Sequence, residues 1–92
     1  MEIMNLNDFK SMAPLHFIGI GGVGMSAIAG FLAEHGIAVQ GSDHRAGLAT
    51  EQLRKVGCTV FLGHAADQLA GVKTVVISSA IGDENQELVA AK

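Results

Sequence analysis

The chain has 92 residues, 49% of them hydrophobic and 16% charged, and six Lys/Arg against nine Asp/Glu give a formal charge of −3. So short a chain holds one domain around one modest core, and its apolar content excludes a disordered polymer. Six cations cannot build a basic face for the phosphate backbone of DNA or RNA, so nucleic acid is excluded as a partner class.

In chain order, the acidic opening Met1–Asp8 lacks the positive charge of a signal peptide. No apolar run approaches the roughly 18 residues that span a bilayer. The expected location is cytoplasmic, with no membrane partner. Residues 1–14 are expected to be an N-terminal extension, with a loose helical turn over Asn7–Met12, and residues 15–92 the domain proper. Leu15–Ile20, an apolar run between Pro14 and a glycine cluster, predicts a buried strand. Val23–His35, rich in Ala and Leu and closed by Gly36, predicts a helix with Ile28, Phe31, Leu32 and His35 on its apolar stripe. Gly30 inside it costs about 1 kcal/mol relative to Ala, and close packing onto the sheet is one reason to accept it.

Ile37–Gly41 predicts a second, weaker strand, and Ala49–Val56 a short helix with Leu53 and Val56 inward and Gly57 as its stop. Cys58–Leu62 is a third strand; the single cysteine excludes an internal disulfide framework, fits a reducing compartment and reads as a small buried apolar residue. Ala65–Leu69 is a helical turn, Val72–Ser78 the fourth strand, and Asn85 caps a last helical segment, Gln86–Lys92.

Strands alternating with helices imply a Rossmann-like three-layer α/β/α fold with a parallel sheet, expected strand order 3-2-1-4. The strand order then reverses between strands one and four. A ligand crevice is expected beside the carboxyl ends of those two strands, where Gly21–Gly24 and Ser78–Ala80 stand.

Gly19-Ile20-Gly21-Gly22-Val23-Gly24 places G-x-G-x-x-G between a predicted strand and a predicted helix. Its glycines serve a tight turn, backbone approach to a diphosphate, and close helix–strand packing. The helix N-terminus adds free N–H groups and about half a positive charge. Ser26 adds a hydroxyl in the first turn. Asp43, 19 residues past Gly24, suits either ribose hydroxyls or a turn. His64 follows the third strand on the same rim, where a lone histidine is more often solvated or capping than functional. His16, inside the first strand, is packed or partner-bonded. No two histidines have the spacing of a metal pair, so no metal site is expected. On these residues alone, a small nicotinamide-dinucleotide domain of an oxidoreductase or a regulatory module remains an alternative.

The stretch from His16 to Ala29, His16-Phe17-Ile18-Gly19-Ile20-Gly21-Gly22-Val23-Gly24-Met25-Ser26-Ala27-Ile28-Ala29, closely resembles the opening of the Mur ligases of peptidoglycan synthesis. Within that family it is most similar to the members that join L-alanine to UDP-N-acetylmuramate. Gly41-Ser42-Asp43, Val60-Phe61-Leu62-Gly63-His64 and Val76-Ile77-Ser78-Ser79-Ala80-Ile81, followed by Asn85 and Glu87, agree in order and spacing. The resemblance implies a Rossmann-like N-terminal domain that binds the UDP part of UDP-N-acetylmuramate. It implies that Gly21, Gly22, Val23 and Gly24 offer backbone to the diphosphate, with Met25 and Ser26 beside them in the UDP-binding set, that Asp43 and His64 address the uridine, and that Ser78, Ser79 and Ala80 line the diphosphate–sugar side. Gln86 departs from the proline common in the family after the asparagine.

The family's ATPase domain carries a Gly-Lys-Thr loop, and no Gly-Lys pair occurs in these 92 residues. The expectation is therefore a piece of a longer ligase that binds but does not ligate alone, with no catalytic residue of its own. ATP and magnesium, together with the remaining ligase domains as partners, belong to the full-length enzyme.

Overall fold

The structure, a computed structural model, describes residues 6–78, 81–82 and 84–92. Its elements in chain order are α1 (Leu6–Met12), β1 (Leu15–Ile18), α2 (Val23–Glu34), β2 (Val39–Asp43), α3 (Leu48–Lys55), β3 (Thr59–Leu62), a 3-10 turn (Ala66–Leu69), β4 (Thr74–Val76) and α4 (Gln86–Ala91). The four strands are all parallel, in the order β3-β2-β1-β4, and the helices flank them, as the alternating pattern predicts.

Alternation along each strand separates the two faces of the sheet. Leu15, Phe17, Val39 and Val60 form one apolar cluster with Ala29 and Leu32 of α2 and Leu53 of α3. His16, Gln40 and Ser42 occupy the alternate positions, and the parallel register sets His16 beside Gln40 and Ile18 beside Ser42. That second face meets α4 and the 3-10 turn. One side of the sheet is therefore apolar and the other carries a buried polar row. Leu6 and Phe9 of α1 pack against the apolar cluster, and Thr74 Oγ1 donates to the Met12 carbonyl at 2.8 Å.

Both helices on the apolar face stop at the glycines that the sequence marks. The Gly36 amide donates to the Ala33 carbonyl and that of Ile37 to the Leu32 carbonyl; Gly57 and Cys58 repeat the pattern on Arg54 and Leu53. These are Schellman stops, which need φ above zero at the glycine, here +79° and +104°. Leu32, Ile37, Leu53 and Cys58, the residues bonded across the two stops, are all buried in the apolar cluster.

Three expectations need correction. Ile28 and Phe31 are about half exposed, at 51% and 52%, while Ala29 and Leu32 are buried. The inward face of α2 runs through Met25, Ala29, Leu32 and Ala33, because small residues let the helix sit close to the sheet. Gly30 turns toward α3: a Cβ there would stand 3.6 Å from Leu53 Cδ2. The second strand runs over Val39–Asp43, later than the expected Ile37–Gly41, since the buried pairing continues through Gly41 and Ser42. The fourth strand is shorter than Val72–Ser78.

Candidate functional site

After β1 the chain turns sharply over the end of β2. The amides of Gly19 and Ile20 both donate to the Ser42 carbonyl, at 2.8 and 2.9 Å. The Gly21 amide donates to Asp43 Oδ2 at 2.8 Å, and that of Gly22 to the Gly19 carbonyl at 3.1 Å. The first amide to bond back inside α2 is that of Ser26, which donates to the Gly22 carbonyl at 2.7 Å. The first helical residues, Val23, Gly24 and Met25, have no intrahelical acceptor for their amides, and no side chain among the described residues caps the helix. The structure thus narrows the expected cradle. Gly21 and Gly22 spend their N–H groups on the turn itself, and the open donors are those of Val23, Gly24 and Met25.

The glycines divide by what packing demands. A Cβ at Gly21 would stand 2.8 Å from Asp43 Oδ2 and 3.2 Å from Thr50 Cγ2, so this position is closed to any larger residue without a shift. At Gly22 the nearest contacts are ordinary, and at Gly24 nothing among the described residues lies within 4 Å. The third glycine is therefore not there for helix–strand packing, contrary to the role expected for it. The tightest spot is one the motif does not include. A Cβ at Gly41 would fall 2.6 Å from the Phe17 carbonyl oxygen and from two Ile20 carbons.

Asp43 ends β2, with Oδ2 on Gly21 and Oδ1 3.4 Å from the Arg45 amide. Ser26 donates its hydroxyl to the Val23 carbonyl at 3.2 Å and lines a groove of about 340 Å³ between α2 and α3. His64 follows β3 and meets His44 edge to face, ring centres 4.5 Å apart. Both line a cleft of about 540 Å³ closed by Ile81, Gly82, Glu84, Asn85 and Gln86. Ile81 touches the glycine turn, its Cδ1 lying 3.3 Å from where a Cβ of Gly19 would stand. Ser78 ends the segment after β4, its carbonyl accepting the Ile81 amide at 3.2 Å. Ser79 and Ala80 lie outside the described residues. The turn, Asp43, His64 and Ser78 thus share the carboxyl-end rim of the sheet, while the Ser26 hydroxyl turns back onto its own helix.

Beneath His64 lies a group of residues that the sequence reading assigns to no site. The Glu87 carboxylate is fully buried. Its Oε1 accepts from His16 Nε2 at 3.0 Å, from Ser42 Oγ, and from His64 Nδ1 at 3.2 Å. Its Oε2 accepts the Ala65 amide at 3.2 Å and, with the Gln68 amide oriented to satisfy both ends, the Gln68 side chain. Burial by itself raises the Glu87 carboxyl, but hydrogen bonds from Ser42, His16 and the Ala65 amide hold it below the ordinary value of 4.5. Asn85 puts Glu87 in place by capping α4, its Oδ1 accepting from the amides of Glu87 and Leu88. The signal was present in the strands. Three polar residues side by side on one covered face, His16, Gln40 and Ser42, require partners there.

Among the described residues no group of three or more His, Cys, Asp and Glu is placed to hold a metal ion, and no helix is long and apolar enough to cross a membrane.

Comparison with known proteins agrees with this geometry. The family model described as "Mur ligase family, catalytic domain" matches residues 14–92. The UDP-N-acetylmuramate–L-alanine ligase of Jannaschia sp. (strain CCS1) is 51% identical over 81 residues, covering 88% of this chain and 17% of that protein. The enzyme of the same name from Rhodopseudomonas palustris (strain BisB18) is 46% identical over 83 residues, covering 90% and 18%. The crystal structure of the UDP-N-acetylmuramate-alanine ligase MurC of Thermotoga maritima superposes with a TM-score of 0.78 at 40% identity, over 84% of this chain and 18% of that one. This chain therefore spans less than a fifth of the length of these relatives. The alternative expectation of an oxidoreductase domain finds no support among them. A parallel 3-2-1-4 sheet, a glycine turn at its switch point and a family match over residues 14–92 together mean that the chain belongs to the Mur ligase family.

Proposed function

We propose that this chain is the nucleotide-binding N-terminal unit, residues 15–92, of a ligase that joins L-alanine to UDP-N-acetylmuramate, and that it holds the UDP part of that substrate. The observation that carries this reading is the uncapped start of α2. Three amide donors and the positive end of the helix dipole face outward at the reversal of strand order, behind glycines that packing does not require. An anion meets no Cβ at Gly22 or Gly24, so phosphate oxygens reach the amides of Val23, Gly24 and Met25. The cleft beside His64 and His44 has room for the nucleoside; Asp43 precedes His44 at the end of β2, and Ser78 follows β4. The names of the relatives supply the substrate class.

With no Gly-Lys pair in its 92 residues, the chain has no loop for nucleoside-triphosphate phosphates, so ATP and magnesium are assigned to the other ligase domains. The role of this unit is to bind and orient. Titration of the isotopically labelled chain with UDP-N-acetylmuramate, and separately with NAD, tests the reading. Saturable amide shifts at Val23, Gly24, Met25, His64 and Ser78 with the UDP-sugar, and none with NAD, are expected. Unmoved amides at those positions would overturn it.

A further inference from the structure

The buried polar row fixes its own protons, and the consequence reaches the cleft. The Gln68 carbonyl oxygen accepts only, so the Gln40 side-chain nitrogen that stands 2.7 Å from it must donate. The same nitrogen is 2.7 Å from His16 Nδ1, which therefore accepts, leaving His16 Nε2–H to donate to Glu87. A carboxylate likewise only accepts, so the single Ser42 hydroxyl proton goes to Glu87 Oε1. Ser42 Oγ has no second proton for His64 Nδ1, 2.7 Å away. The proton in that contact must come from the histidine. His64 Nδ1 donates to Ser42 Oγ and, at 3.2 Å, to Glu87 Oε1.

Neutral histidine free in water favours the opposite form, with the proton on Nε2. In this site that form would set two lone pairs, Nδ1 and Oε1, against each other. With Nδ1 protonated, Nε2 carries the lone pair. It has no partner among the described residues, and no buried side-chain nitrogen or oxygen among them lacks one, so Nε2 meets the cleft. We propose that Glu87, acting through Ser42, is a positioning residue that holds His64 as the Nδ1–H tautomer, so that the ring offers its Nε2 lone pair to a hydrogen-bond donor of the bound nucleoside. The nucleoside half rests on the function proposed above; the proton order does not. Two groups of a uridine carry the required chemistry, the imide N3–H and the ribose hydroxyls.

Long-range nitrogen–proton correlation on the free 92-residue chain, at a pH where His64 is neutral, reads the tautomer directly. The wild type is expected to show a protonated Nδ1 and a bare Nε2. Ser42→Ala and Glu87→Ala are expected to move the ring toward Nε2–H; Ser42→Ala loses one hydroxyl only, so it serves if the other variant does not fold. A wild-type Nε2–H ring, or a tautomer unchanged in the folded variants, overturns the relay.

The ligand half is read with UDP, N3-methyl-UDP and 2′,3′-dideoxy-UDP. One analogue is expected to bind about tenfold more weakly than UDP, the scale of one lost hydrogen bond, and His64→Ala is expected to erase that difference. Equal binding of all three, or a difference that persists without His64, overturns the acceptor role. Absence of UDP binding by the wild type overturns the nucleotide reading and the acceptor role with it, while the nitrogen spectrum still decides the relay.

Discussion

Asp43 Oδ2 accepts the amide hydrogen of Gly21 at 2.8 Å, so the carboxylate that ends β2 closes the turn that ends β1. The pair is partly buried, and Asp43→Ala is expected to lose about 1.5 kcal/mol, the low end for a hydrogen bond to a charged acceptor. Asp43→Asn retains an acceptor and should lose less. Urea midpoints of the two variants check the order; equal losses would mean that the Gly21 contact contributes nothing.

The glycine turn yields an opposed pair of substitutions. Gly41→Ala drives a Cβ to 2.6 Å from backbone oxygen and from Ile20, and overpacking of this kind costs about 1–3 kcal/mol. Gly24→Ala meets nothing within 4 Å among the described residues and lies inside α2, where Ala is favoured by about 0.8–1 kcal/mol at most. The expected result is a destabilised Gly41→Ala chain and a Gly24→Ala chain at least as stable as wild type but weaker for UDP. Undiminished UDP binding by Gly24→Ala would remove the ligand from this turn.

Phe31 and Leu32 are chain neighbours with opposite fates. Leu32→Ala opens the apolar cluster and is expected to cost about 2–5 kcal/mol. Phe31→Ala gives up only a half-exposed ring against His35, centres 4.3 Å apart, and should change stability by less than about 0.5 kcal/mol. Thermal unfolding of both separates the observed inward face of α2 from the one that the apolar spacing suggests.

Glu87 sets an acid limit. Its folded-state carboxyl titrates below its ordinary value, so the unfolded chain takes up the proton more readily. The stability contributed by the carboxylate is fully present above about pH 4.5 and is lost as pH falls through the folded value. Urea unfolding at stepped pH is expected to show wild type losing stability relative to Glu87→Gln over that acid range. Parallel curves for the two would rule out the carboxylate as the titrating group.

Cys58 is buried, and burial pushes its thiol up from the ordinary value of 9.0. A thiolate is the reactive form, so a disulfide reagent should label native protein slowly and unfolded protein at once. Rapid labelling without denaturant would show that the start of β3 opens readily.

Strand order, helix stops and the placing of the glycine turn were all legible in the residues, because each follows from local rules: apolar runs, a glycine after each helix, right-handed crossovers. What escaped is what depends on convergence in space. Gly41 and Asp43 have poor strand propensity, so β2 reads as ending at Gly41, yet pairing with β1 and β3 carries it on to Asp43. Ile28 and Phe31 are more apolar than Ala29, and only the closeness of α2 to the sheet reverses their order. Glu87 near the chain end has the look of a solvated helix residue. It stands 71 positions from His16 and 45 from Ser42, and nothing local brings the three together.

Most short helices are held to their sheets by oily contacts, which are non-directional and let a helix roll or slide. The six-residue α4 is pinned through two carboxylate oxygens that together receive five donors. Five directional bonds from five residues resist rolling as well as sliding. The part of the pocket wall that joins α4, Glu84 to Gln86, is thereby fastened to β1 and β2 through Glu87, by bonds that have direction as well as strength.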